Sequence, residues 1–109
     1  MTEAQLQSKA FTNFWNNNPH LRGRLFAINQ NSHNQIKGAI NRSLGVLPGV
    51  SDMAYLIPGS VVWIEWKTPS GKQSPDQRKF QTLVTSLNMH YHIVTSEEDF
   101  LKIIALYAN

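Results

Sequence analysis

The feature that most restricts how this chain folds is a pair of apolar runs separated by a short turn signal. Residues 53–57 and 61–67 are rich in β-branched and aromatic side chains, and Pro58, Gly59 and Ser60 stand between them. Runs of that composition favour pleated backbone, and the break reverses the chain, so the pattern predicts an antiparallel hairpin. Two strands alone are only marginally stable in water. Further strands or helices must therefore cover them.

The flanking segments supply that cover. Thr2 and Gln5 have the spacing of a capping box, and Leu6, Ala10, Phe11, Phe14 and Trp15 continue as a helical stripe that stops before Pro19. Residues 24–29 alternate as a short strand. Residues 31–47 fit either a helix or an ordered loop: Ile36, Ile40 and Leu44 share helical spacing behind Ser32, whereas Gly38 weakens it and Gly45 and Gly49 mark an exit. Beyond the hairpin, Ser74 is an N-cap, Pro75 takes the first helical position and Gln77 completes a capping box. Phe80, Leu83, Val84 and Leu87 form the inner face of that helix. Residues 91–94 read as a strand. Ser96 and Asp99 cap a last helix whose Phe100, Leu101, Ile103, Ile104 and Tyr107 turn inward. The order implies a single domain over residues 1–109, of α/β or α+β class, with a mixed sheet flanked by helices.

Composition narrows the function classes. The chain has 109 residues, 41% hydrophobic, with no cysteine. Disulfides and thiolate metal sites are excluded. No apolar run reaches the roughly 20 residues of a membrane span, and the opening residues lack the basic patch and apolar core of a signal peptide, so a cytoplasmic protein is expected. The net charge is +3, yet residues 4–51 contain no acid while Lys9, Arg22, Arg24, Lys37 and Arg42 all fall there. An uninterrupted basic stretch suits a polyanion, and it equally suits a solvated basic face.

The chemistry concentrates around the hairpin. Along residues 61–67 side chains alternate, so Val62, Ile64 and Trp66 share one face and Glu65 and Lys67 the other. Alone, that glutamate and lysine read as a strand-end ion pair. Asp52 alters the reading. If Ile57 faces Val61, Asp52 lies opposite Trp66, and a shift by one residue places it opposite Glu65 or Lys67; every register brings it near Glu65. Two carboxylates at that range repel unless a positive charge lies between them. Their hard oxygens, with waters and the Trp66 carbonyl, suit Mg²⁺ or Mn²⁺ better than zinc. Lys67 then reaches the same site, placed to offset charge on a phosphate.

Gly49-Val50-Ser51-Asp52, the hairpin, Ile64-Glu65-Trp66-Lys67 and then Gly71-Lys72-Gln73-Ser74-Pro75-Asp76-Gln77 together resemble the VRR-NUC (virus-type replication-repair nuclease) family of the PD-(D/E)xK nuclease superfamily. The resemblance spans about residues 2–100 and is strongest over 49–80. It implies a restriction-endonuclease-like core in which Asp52 and Glu65 bind the metal and Lys67 assists catalysis. It also implies that Glu3 contributes to the metal site and that Gln77 points towards it. Two positions depart from the family pattern: Ser51 replaces a proline, and Trp66 replaces an aliphatic residue. Neither removes a ligand. The implied activity is a Mg²⁺- or Mn²⁺-dependent endodeoxyribonuclease of repair, recombination or phage replication. A homodimer acting on branched DNA such as a Holliday junction is expected, because one small domain offers little surface for specificity. Lys72, Arg78, Lys79, Arg42 and Lys37 are the expected DNA contacts. Residues 69–72 lack the full phosphate-loop pattern, so no nucleotide cofactor is expected. His20, His33, His90 and His92 lack metal-ligand spacing and read as surface or rim residues. Trp15, Trp63 and Trp66 read as core. The rival readings are a nucleic-acid-binding module of the same fold without catalysis, and an ion-pair network of purely structural use.

Overall fold

The computed structural model describes residues 1–28, 39–40 and 42–108. Four strands form one mixed sheet in the order β1 (Leu25–Ala27), β2 (Met53–Ile57), β3 (Ser60–Trp66) and β4 (His90–Val94). β2 runs antiparallel to both β1 and β3, and β4 runs parallel to β3. A parallel neighbour requires a crossover. Helix α2 (Pro75–Ser86) provides it, which leaves β3 enclosed between β2 and β4. Helix α1 (Glu3–Asn17) precedes the sheet and α3 (Glu97–Leu106) follows it. Among the described residues, no helix is long and apolar enough to cross a membrane.

The helix starts follow from their caps. Thr2 and Gln5 form the reciprocal capping box of α1, and Ser74 and Gln77 that of α2. Ser96 accepts the Asp99 N–H at 3.1 Å to open α3. Helix α1 ends at Asn17, and Pro19 begins a short 3-10 turn, Pro19–Leu21.

Period-two alternation on β3 sorts its side chains between two layers. Val62, Ile64 and Trp66 are fully buried in the main core with Leu25, Met53, Tyr55 and Val94. Helix α1 adds Ala10 and Phe14 to that core, and α3 adds Phe100 and Ile104. Phe14 meets both Tyr55 and Phe100 edge-on, the favourable arrangement for two ring quadrupoles. The opposite face carries α2, whose Phe80 stands edge-on to Trp63 at 5.2 Å and tilted to Tyr91 at 6.3 Å.

Several expectations are corrected. Ile57 pairs with Ser60, not Val61, so the turn is Pro58-Gly59 with Gly59 at φ +73°. Leu83, Leu87 and Leu101 are 48%, 61% and 49% exposed, because each helix has one sheet to cover and a narrower stripe suffices. Trp15 is 42% exposed with the Arg22 guanidinium over its ring at 4.8 Å, so it is not core. His90 and His92 are half-buried beside Tyr107, in keeping with a rim position, and His92 Nε2 lies 2.7 Å from the Tyr107 hydroxyl. Of the ambiguous stretch, Ser32, Ile36, Lys37 and Gly38 lie outside the described residues. Where it is described, the Leu44 N–H donates to the Ile40 carbonyl, and Gly45 follows at φ +88°.

Candidate metal and active site

The loop before β2 brings the aspartate into place. Gly49 has φ +86°, and a Cβ there would stand 2.4 Å from the backbone of Asp76. Glycine is therefore required where this loop touches the start of α2. Two residues on, Ser51 is fully buried. The Asp52 carbonyl accepts the Ile28 N–H at 2.8 Å, which extends the β1–β2 pairing. Continuing the β2–β3 register beyond Met53↔Ile64 sets Asp52 directly across from Glu65. The Asp52 carboxylate accepts the Trp66 N–H at 2.7 Å, so one oxygen is fixed by backbone of the opposing strand.

Glu65 is the unusual group. It is fully buried on the central strand, and among the described residues neither carboxylate oxygen has a hydrogen-bond partner. Burying an unpaired carboxylate is costly, and the group responds by holding its proton. Its pKa is raised to about 7, first by burial and then by the Asp52 carboxylate, with Lys67 opposing. The Asp52 pKa is also raised by burial, against the lowering effect of the Trp66 N–H. Lys67, 12% exposed at its side chain, lies 3.6 Å from a Glu3 oxygen at the start of α1. Its own N–H donates to the Val94 carbonyl at 3.0 Å, continuing the β3–β4 pairing past Trp66.

These donors fit a hard divalent cation. A buried carboxyl group with no hydrogen-bond partner among the described residues stands opposite a second carboxylate, and both offer hard oxygen donors. Among the described residues, no three acidic or imidazole side chains converge as ligands. A cation here would rest on Asp52 and Glu65, completed by backbone and water oxygens. Glu3 joins the cluster through its ion pair with Lys67.

The other expected residues divide. Gln77 folds back on its helix: its amide oxygen accepts the Ser74 N–H at 2.7 Å, so the side chain serves the cap. Arg78 is exposed and donates to the Gln73 carbonyl at 3.0 Å. Lys72, Lys79 and Arg42 are exposed, and Lys37 lies outside the described residues. Sequence reasoning passed over Tyr91 and Gln73. Tyr91 pairs with Trp63 across the parallel strands, which brings its hydroxyl beside Glu65. Gln73 donates to that hydroxyl at 3.1 Å. Period-two alternation in β4 places Tyr91 on the Ile93 face, but only the strand register shows that this is the Glu65 face.

No protein-family model and no curated protein matches this chain. Among solved structures it is similar to one described as a VRR_NUC domain protein, with a TM-score of 0.78. The match covers 98% of this chain and 88% of that chain at 15% sequence identity. The mixed sheet and its flanking helices thus have the VRR-NUC fold that the motif resemblance implied.

Proposed function

We propose that this protein is a Mg²⁺- or Mn²⁺-dependent endodeoxyribonuclease. The observation that carries the reading is Glu65, buried with both oxygens unpartnered, across from Asp52 and two residues before Lys67. Asp52 and Glu65 would hold the cation, with the Trp66 carbonyl as a further donor. When bound, the cation would supply Lewis acidity towards a phosphate and lower the pKa of a water.

The chain's own groups do the rest. The Trp66 N–H holds one Asp52 oxygen, so that carboxylate presents itself in a fixed orientation. Burial keeps water from competing for Glu65 and strengthens every charge interaction near it. Lys67 offsets the negative charge that develops on the phosphate, and Glu3 holds the ammonium in place until substrate arrives. Lys72, Arg78 and Lys79 lie around the start of α2, where exposed cations can follow a phosphate backbone.

We further propose that the protein acts in the cytoplasm as a homodimer on branched DNA, in repair, recombination or phage replication. Two symmetric sites would then face two symmetric strands of a junction. The test incubates labelled four-way junction, flap and linear duplex with the protein in Mg²⁺, Mn²⁺ or EDTA. Metal-dependent cutting that is lost in Lys67→Ala with DNA binding retained supports the enzyme. Binding without cutting in any metal would leave a nucleic-acid-binding module, and no binding a structural role. Light scattering under cleavage conditions tests the dimer, and a monomer that cuts would remove it.

A further inference from the structure

Gln73 has two amide hydrogens and both are used. One goes to the Gln81 side-chain oxygen at 3.0 Å and the other to the Tyr91 hydroxyl oxygen at 3.1 Å. The phenol oxygen is therefore an acceptor towards Gln73, and its own hydrogen must point elsewhere. The acceptor beside it is Glu65, diagonal to Tyr91 across the β3–β4 pair, where Tyr91 faces Trp63 and Ile93 faces Glu65. The two groups stand close, and among the described residues both Glu65 oxygens are without a completed hydrogen bond. The Tyr91 ring is held against Phe80, so the hydroxyl has little room to swing away.

We propose that Tyr91 is a positioning residue for Glu65: its hydroxyl, aimed by Gln73 and Gln81, donates to one carboxylate oxygen and leaves the other to face the cation. The proposal rests on the reading of Asp52 and Glu65 as metal ligands. It adds a relay of Gln81, Gln73 and Tyr91 that runs from α2 and the loop before it through β4 to the buried carboxylate. Partners of ligating carboxylates fix the geometry of the ligand, and losing one typically weakens metal binding about 10–100-fold.

The test measures Mn²⁺ affinity by calorimetry and by the free Mn²⁺ electron paramagnetic resonance signal, without DNA, for wild type, Tyr91→Phe and Gln73→Leu. Tyr91→Phe should bind Mn²⁺ about 10-fold or more weakly, and Gln73→Leu should shift in the same direction. Far-ultraviolet circular dichroism and the urea-unfolding midpoint should stay close to wild type for both. In cleavage assays the half-saturating Mn²⁺ should rise while the rate at saturating Mn²⁺ changes little. A purely structural role would lower the folded fraction and leave the half-saturating Mn²⁺ unmoved. Wild-type affinity in Tyr91→Phe would overturn the proposal. If that variant does not fold, wild-type affinity in Gln73→Leu overturns it instead. Failure of wild type itself to bind Mn²⁺ would strike the metal reading, and this proposal with it.

Discussion

The two faces of the sheet solve opposite problems, and two tryptophans on β3 mark the contrast. On the α1–α3 face Trp66 is fully buried, stacks at 5.5 Å with Phe100, and finds a partner for its indole N–H in the Met53 sulfur at 3.4 Å. On the α2 face, among the described residues, the Trp63 N–H has no partner and neither does either oxygen of Glu65. A residue's place on one face or the other is set by a single step along the strand. Buried polar groups are normally satisfied; Ser51 Oγ beside the main core is one exception, but the concentration of the others at Trp63 and Glu65 indicates that the α2 face is held for something other than stability. The first face binds the fold together, and the second keeps a buried carboxyl group without a hydrogen-bond partner among the described residues.

The largest effect that would sharpen this comparison is on the closed face. Trp66→Ala removes a fully buried side chain from among Phe100, Met53 and Ile64, and should cost about 3–5 kcal/mol in urea unfolding. That is a large share of the roughly 5–15 kcal/mol available to a domain of this size. Lys67→Ala should do the reverse. Cleavage should fall about 100- to 1,000-fold, as for loss of a group that offsets transition-state charge. The unfolding free energy should change by about 1 kcal/mol or less, because the ion pair with Glu3 is partly solvated. A Lys67→Ala protein that unfolds as readily as Trp66→Ala would end the distinction between the two faces.

The pH dependence of stability offers a finer division. The folded-state pKa of Glu65 is about 7, above its ordinary 4.5, so between those values the folded protein binds a proton that the unfolded chain does not. Stability from this group is complete below the unfolded pKa and is lost as pH rises through about 7. Asp52, also raised, acts with the same sign. His92, lowered by burial and by His90, acts oppositely, so the comparison must be with a variant. In EDTA the melting temperature of wild type should fall between pH 5 and pH 8 relative to Glu65→Gln, by on the order of 10 °C. Added Mn²⁺ should restore it in wild type alone. Parallel curves for the two proteins would mean that Glu65 carries no buried charge.

The closed face was the more legible in the sequence. Alternation alone assigned Val62, Ile64 and Trp66 to one layer, and caps such as Ser74-Pro75 are written in consecutive residues. The mixed sheet and its flanking helices followed from those local signals. The register did not, because Pro58-Gly59-Ser60 can turn on two residues or three, and only the folded chain selects Ile57↔Ser60. That one-residue difference sets Asp52 across from Glu65 rather than Trp66. Which apolar residues stay outside was equally hidden: Leu83 and Leu101 have helical spacing suited to a core, yet the sheet is too narrow to cover them. Tyr91 and Gln73 were missed for a related reason, since their meeting is a product of the β3–β4 pairing and has no sequence spacing of its own.

The smallest effect concerns Gln77, in the first turn of α2. Its side chain closes the capping box with Ser74, so Gln77→Ala should cost about 1 kcal/mol or less. Glutamate serves the same cap, and Gln77→Glu should unfold within about 0.5 kcal/mol of wild type. The pair of variants therefore separates stability from chemistry. If Gln77 only caps, Gln77→Glu should cut DNA at nearly the wild-type rate at saturating Mn²⁺, and Gln77→Ala should do so once corrected for its folded fraction. If Gln77 also turns its amide nitrogen towards substrate, Gln77→Glu will keep its fold and lose cleavage, because a carboxylate cannot donate and repels phosphate. The second outcome would move this residue from the scaffold to the open face.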